Sequence, residues 1–243
     1  MLAYLCLHAD SFSPLFGSVN INANYLDWSH STEEQTQKGD FLYAGIEGIA
    51  VWQNVSFYGF VNVENPFDSY DEQSKHDLRF STLADIDIAL WGKWKLHLQN
   101  YAFYSGSFYV NDAVAGVGYR LEAGSGVWAR PFLGVHHTYS TYYNALNGYM
   151  GGWLINYDFT VASMKCNLFN WHEIEFGRKR DFYLDENSLP VGDGRSWGYQ
   201  GALTLSYYPT KRLALALGYR YADNKLGSSA YQSALIYTVK FYF

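Results

Sequence analysis

The sequence of 243 residues is poor in charge, in cysteine and in long apolar runs. Only 16% of the residues are charged, and the formal net charge of -6 excludes general binding of nucleic-acid polymers, which requires a positive field. The two cysteines, Cys6 and Cys166, are far apart and lack CxxC spacing, so they indicate neither a metal site nor a disulfide framework. No apolar stretch is long enough for a membrane-spanning helix, and the mean hydropathy is slightly negative at -0.21.

Aromatic residues are abundant instead, since 8 Trp, 23 Tyr and 16 Phe make up 19% of the chain. A soluble domain would need a very large core to bury them. A transmembrane β-barrel places Tyr and Trp where lipid headgroups meet hydrocarbon and spreads its hydrophobicity through alternating strands. The composition therefore favours a barrel, and the length suits one β domain.

The clearest strand is the last one, residues 231–243. Its odd-numbered positions are mainly aromatic or apolar and end in Phe243, whereas its even-numbered positions include Gln232 and Lys240. A barrel strand alternates in this way because one face meets lipid and the other meets the lumen. Since Lys240 is costly in hydrocarbon, we predict that the odd set faces lipid. The terminal Phe with its alternating aromatic residues also resembles the signal that the barrel assembly machinery binds, which makes that machinery a predicted partner.

The same alternation recurs along the chain. It is strong within 42–52, 55–64, 78–90, 197–207 and 213–221, and weaker near 17–28, 94–104, 111–121, 127–137, 148–156 and 159–169. The pattern predicts an all-β fold, a single transmembrane antiparallel β-barrel of about twelve strands, and an even count is typical of bacterial outer-membrane barrels.

The connections alternate in length. Short ones are predicted near 53–54, 92–93, 123–126, 157–158 and 209–210, and longer ones near 29–39, 65–76, 105–110, 138–147, 170–196 and 222–229. This is the arrangement of short periplasmic turns and longer extracellular loops. The sequence leaves open whether the 170–196 loop enters the lumen as a constriction or lies outside.

These patterns divide the chain into two segments, a short N-terminal one and the barrel. Residues 1–9 (MLAYLCLHA) have the apolar run and small-residue ending of a signal-peptide remnant, although a positively charged start is missing. A lipoprotein anchor at Cys6 is the weaker alternative. Residues 10–243 are predicted to form the outer-membrane β-barrel, with no repeat or linker that divides them.

Candidate functional residues lie on predicted inward positions. They are Glu47, Tyr58, Phe60, Asp85, Asp87, Arg130, Arg220 and Lys240. One interpretation is that the charged members pair and stabilise a polar interior. The other is a solute path, in which charges set selectivity and aromatic rings form stacking surfaces. Twelve strands lie between filled eight-stranded barrels and open porins, so we expect a narrow pore. Stacking on its aromatic rings, with a few hydrogen bonds, would favour flat, polar, uncharged solutes such as nucleosides.

Enzymatic alternatives find little support. His136 and His137 precede Ser140, but adjacent strand residues point to opposite faces, and His97 has no evident serine partner. Asp85 and Asp87 share a face and suggest an acid pair or a cation site, although salt-bridged carboxylates are the favoured interpretation. His172 and Glu173 are assigned to a loop without metal-ligand companions. We predict no catalytic residue, no metal site and no cofactor, and keep a barrel hydrolase and a plugged surface-recognition barrel as alternatives.

Six segments are distinctive: YLDWS (25–29), KGDF (38–41), YGFVNVENP (58–66), WHEIEF (171–176), GYRYADNKLG (218–227) and YQSALIYTVKFYF (231–243). Together they resemble the Tsx-type nucleoside-specific channel-forming family of outer-membrane proteins. The resemblance implies a twelve-stranded monomeric barrel that conducts nucleosides and deoxynucleosides, with outer loops open to phages or colicins. A porin for other small solutes remains the alternative.

Overall fold

Twelve long strands dominate the structure, a computed structural model that describes residues 14–67, 78–106, 108–124, 126–183 and 193–243. The predicted signal-peptide remnant at 1–9 lies outside the described residues. The strands are β1 (Phe16–Trp28), β2 (Phe41–Val51), β3 (Val55–Glu64), β4 (Arg79–Ala89), β5 (Trp94–Ser105), β6 (Phe108–Tyr119), the two-residue β7 (Leu121–Glu122), β8 (Val127–Ser140), β9 (Asn144–Val161), β10 (Met164–Phe176), β11 (Trp197–Tyr208), β12 (Leu213–Asp223) and β13 (Gln232–Tyr242).

The sheet closes on itself. Each long strand pairs antiparallel with its two neighbours, β1 pairs with both β2 and β13, and β6 pairs with β8. Among the described strands, β7 pairs only with β8 and stands beside the ring of twelve. Closure satisfies the backbone groups that an open edge would leave unpaired in lipid. The predicted transmembrane antiparallel barrel of about twelve strands is confirmed.

The outer surface is apolar as the alternation predicts. On β13, Leu235, Tyr237, Val239 and Phe241 are exposed, while Gln232 is fully buried. The same contrast repeats on the other strands, so one face of each meets lipid and the other meets a polar lumen. Apolar packing inside is limited, in the described residues, to small clusters such as Val114, Phe132 and Met150.

The turn between β9 and β10 differs from the sequence-based prediction. We expected it at 157–158, but β9 continues to Val161, and Ala162 and Ser163 form the turn with φ of 47° and 69°. Asp158 suggested a turn because it is polar, yet it stays within β9. There its Oδ1 accepts a 2.7 Å hydrogen bond from Asn167 Nδ2 across the pair of strands.

Several connections at the end opposite the termini are shorter than predicted. The 105–110 connection is reduced to 106–107, and the 138–147 connection to 141–143, because β5, β6, β8 and β9 extend further outward. Strand β10 likewise runs to Phe176, so His172 and Glu173 lie in a strand and not in the 170–196 loop. A 3-10 helix, Arg180–Tyr183, follows it.

One connection contains a helix that the sequence-based analysis did not predict. Helix α1 (His30–Thr36) begins after Ser29, whose side chain caps the amide of Thr32. Thr32 is 1% exposed, and its hydroxyl bonds both the carbonyl and the amide of Ser233, which fixes α1 to the start of β13. Among the described residues, no helix is long and apolar enough to cross a membrane.

Candidate functional site: the lumen

All eight candidate residues occupy lumen-facing positions, but they form separate groups. Lys240 Nζ lies 2.5 Å from Glu47 Oε2, and Tyr58 donates a 3.2 Å hydrogen bond to Glu47 Oε1. Phe60 packs edge-on against Tyr58, with ring centroids 6.5 Å apart. These four residues connect β13, β2 and β3 on one wall of the barrel.

A second group, Asp85, Asp87 and Arg130, lies buried on another wall. Arg130 pairs with both carboxylates, through Nη1 to Asp87 Oδ2 at 2.5 Å and through Nη2 to Asp85 Oδ2. His97, fully buried, lies 2.9 Å from Asp87 and stacks on Phe132 at 4.2 Å. The paired-charge interpretation therefore describes this group, which fixes the wall by joining β4, β5 and β8.

A chain of hydrogen bonds crosses the lumen at Glu173. Its Oε1 accepts from Gln99 on β5 and its Oε2 accepts from Gln200 on β11 at 3.0 Å. Strands β6, β8 and β9 stand between β5 and β10 in the ring, so the Gln99–Glu173 bond spans the interior rather than following the wall. This bond narrows the lumen.

Arg220 continues the chain on β12. Its Nη2 lies 3.5 Å from Gln200 Oε1, and its guanidinium carbon lies 6.0 Å from the centroid of the Trp171 ring. In the described parts of the chain, neither Arg220 nor Glu173 forms an ion pair, because the amide of Gln200 stands between them. The structure thus presents a separated cation and anion beside an indole ring.

Arg220 and Lys240 are two inward candidates on neighbouring strands near the C-terminus. They do face the lumen on β12 and β13, but Arg220 is opposite Ala234 and Lys240 is opposite Ala214. Their partners differ accordingly, and the two cations belong to different groups.

Side chains from three connections make contacts at the outer end of the lumen. Lys38, after α1, donates to the carbonyl of Leu226 at 2.7 Å and to Gln232, and its ammonium lies 4.9 Å from the Trp28 ring centroid. Arg178 and Lys225 both pair with the buried Glu175. These contacts fix the outer loops to the barrel rim.

Two groups of side chains have the composition of a metal site. They are Asp85, Asp87 and His97, and Asp112, His136 and Glu175, each with ligand atoms within 4.8 Å of one another. In the first, Arg130 supplies the positive charge. In the second, Arg178 and Lys225 do so at Glu175. Side-chain cations thus already balance the carboxylates that a metal would need.

His172 lies on the lipid side of β10, where the sequence-based analysis had not placed it. Its ring stacks on Trp153 at 4.3 Å, and its Nδ1 lies 3.1 Å from the Tyr221 hydroxyl. Asn170, on the same face, accepts a 2.7 Å hydrogen bond from Trp153 Nε1. In the described parts of the chain, no serine hydroxyl bonds a histidine, so the triad of a barrel hydrolase is not assembled there.

The apolar exterior, closed ring and polar interior define a transmembrane β-barrel of the outer-membrane type. Among solved structures, the chain is similar to the NanC porin, with a TM-score of 0.51, 11% identity and coverage of 92% of this chain and 98% of that one. It is also similar to a bacterial polysaccharide outer membrane secretin (TM-score 0.48, 6% identity, 94% and 98% covered) and to the outer membrane channel DcaP of Acinetobacter baumannii (TM-score 0.39, 10% identity, 93% and 96% covered).

A family model described as "Nucleoside-specific channel-forming protein, Tsx" matches residues 23–243. The chain belongs to this family, and the predicted resemblance is confirmed. The family is one of channel-forming proteins of the bacterial outer membrane and not of enzymes.

Proposed function

We propose that the channel passes nucleosides and deoxynucleosides by passive diffusion through the lumen. The supporting observation is the separated pair of Arg220 and Glu173, held apart by Gln200 beside Trp171. A neutral solute that has both acceptors and donors can bond to Arg220 and to Glu173 without breaking an ion pair between them. A nucleoside has both kinds of group and a flat base.

Aromatic rings in the lumen offer surfaces on which the flat base of a nucleoside can stack. Stacking of a base on an aromatic side chain contributes about 1–3 kcal/mol and tolerates any base. Trp171 offers such a surface near Arg220, and Tyr58 and Phe60 offer others near Glu47. Several weak sites in series suit conduction, because a solute must bind well enough to enter and weakly enough to leave.

The eight residues predicted from the sequence have different roles in this proposal. Glu47, Tyr58, Phe60, Arg220 and Lys240 line the solute path, and Glu173 and Trp171 join them. Asp85, Asp87 and Arg130 hold the wall. The monomeric state, the contact of the last strand with assembly machinery, and phage or colicin binding at the outer loops stay predictions.

Single-channel recording in planar bilayers tests the proposal. Millimolar thymidine or adenosine should reduce the small-ion current reversibly. Glu173→Gln and Arg220→Gln should each weaken the block, whereas Lys211→Met, at an exposed position in the β11–β12 turn, should not. A current that both nucleosides leave unchanged would contradict the proposal.

A further inference from the structure

Two cations in the outer half of the lumen have no carboxylate partner among the described residues. They are Lys38 and Arg220. The other lumen cations discussed above are paired: Lys240 with Glu47, and Arg130 with Asp85 and Asp87. An unpaired charge in a confined interior is costly, so two of them near each other require an explanation.

The register of the strands places Arg220 and the indole that carries Lys38 at the same level of the barrel wall. Arg220 is opposite Ala234 on β13, and Ala234 is opposite Trp28 on β1. The ring of Trp28 carries the ammonium of Lys38, which also donates to Gln232, two residues before Ala234. Strand β13 therefore stands between the strands that carry Arg220 and Trp28, and the charge of Arg220 is close enough to act on the ammonium of Lys38.

Arg220 also has unused hydrogen-bonding capacity. Its Nε is buried and has no hydrogen-bond partner among the described residues, where its one hydrogen bond, to Gln200, is long at 3.5 Å. A guanidinium presents its N–H groups as a planar fork that fits the two oxygens of a carboxylate or phosphate. Since Nε is enclosed, an oxyanion would bond the terminal Nη groups, of which only Nη2 has a hydrogen bond among the described residues.

We propose that Lys38 and Arg220 bind a small oxyanion, a carboxylate or a phosphate group, in the outer half of the lumen. Glu173 does not compete with the anion directly, because Gln200 separates it from Arg220 and Gln99 holds its other oxygen. The site extends the range of solutes beyond neutral nucleosides to anionic ones.

The electrostatics of Lys38 agree with this assignment. Burial, and then the positive charges of Arg220 and Arg79, lower the pKa of Lys38 to about 7. Arg79 is itself paired with Glu64 at 3.2 Å, so the uncompensated neighbour of Lys38 is Arg220. A bound anion would relieve the repulsion between the two cations, and the ammonium would hold its proton more firmly.

Planar-bilayer recording at constant ionic strength and pH 6 tests the site with acetate and inorganic phosphate as probes. Each anion should lower the single-channel current reversibly. Lys38→Met and Arg220→Met should raise the half-blocking concentration roughly tenfold, and Lys211→Met should leave it unchanged. Stronger block by one of the two probes identifies the carboxylate or the phosphate as the preferred group.

Thymidine block separates this inference from the proposed nucleoside path. Lys38→Met should keep the thymidine block of the unmodified channel, which also shows that the variant has folded. If thymidine blocks but neither anion does, the oxyanion site is wrong and the nucleoside path stands. If the anions block the unmodified channel and Lys38→Met alike, Lys38 is not part of an oxyanion site.

Discussion

Lys38 is a residue whose charge state changes near neutral pH. Its pKa of about 7 means that it is mostly protonated at pH 6 and mostly neutral at pH 8.5. The charged groups near it are Arg220, Arg79 with its partner Glu64, Asp40, which bonds the Trp28 amide, and Lys225, which pairs with Glu175.

We therefore expect the preference for anions over cations to fall as the pH rises from 6 to 8.5. Reversal potentials in a potassium chloride gradient measure it directly. Lys38→Met should remove most of this pH dependence, and Lys211→Met should retain it. Equal pH profiles in the unmodified channel and Lys38→Met would exclude Lys38 as the titrating group.

The buried group of Arg130, Asp85 and Asp87 contributes to stability only while its opposite charges remain paired. Arg130→Gln leaves Asp85 and Asp87 facing each other at 5% and 3% exposure, and loss of one partner from such a group costs about 3–5 kcal/mol. The urea midpoint of unfolding in lipid vesicles should fall accordingly. A variant that also carries Asp85→Asn and Asp87→Asn should recover most of the loss, because no unpaired charge remains. No recovery would show that packing, and not charge, explains the effect.

At the scale of strands, the sequence predicts the lipid-facing positions well, because an apolar side chain in the alternating pattern marks the face that meets lipid. The final strand shows this, as Lys240 faces the lumen and Phe241 the lipid. Strand ends are harder to predict, because a polar residue such as Asp158 fits a turn and a wet lumen equally well. The pairs across the lumen, such as Gln99 with Glu173, depend on the ring geometry, which no local pattern contains.

The β9–β10 turn gives a prediction at this scale. Ala162 and Ser163 both have positive φ, where asparagine and glycine are favoured in two-residue hairpins. The double substitution Ala162→Asn with Ser163→Gly should stabilise the barrel by about 1 kcal/mol, because relief of the left-handed conformation, roughly 1–2 kcal/mol per residue, exceeds the entropy that the added glycine costs. The urea midpoint should rise, whereas Ala162→Val should lower it. A stabilising Ala162→Val would contradict the turn as described.

For the whole barrel, the Gln99–Glu173 bond joins strands that lie far apart in the ring. Gln99→Ala removes this crossing, so the single-channel conductance should rise. Asn100→Ala is the matched control, because Asn100 is exposed and bonds Asn111 on β6 at 2.9 Å. An unchanged conductance in Gln99→Ala would place the narrowest point of the lumen elsewhere.

The pairing of β1 with β13 has a consequence for the order of events during biogenesis. The register runs from Asn20 opposite Tyr242 to Trp28 opposite Ala234, and the amide of Phe243 bonds the carbonyl of Val19 at 3.1 Å. Strand β1 is synthesised first, and the backbone groups on one of its edges therefore have no hydrogen-bond partners until β13, the last strand, has been synthesised. Until translation is complete, every nascent chain has two unpaired edges and needs protection from aggregation on its way to the membrane.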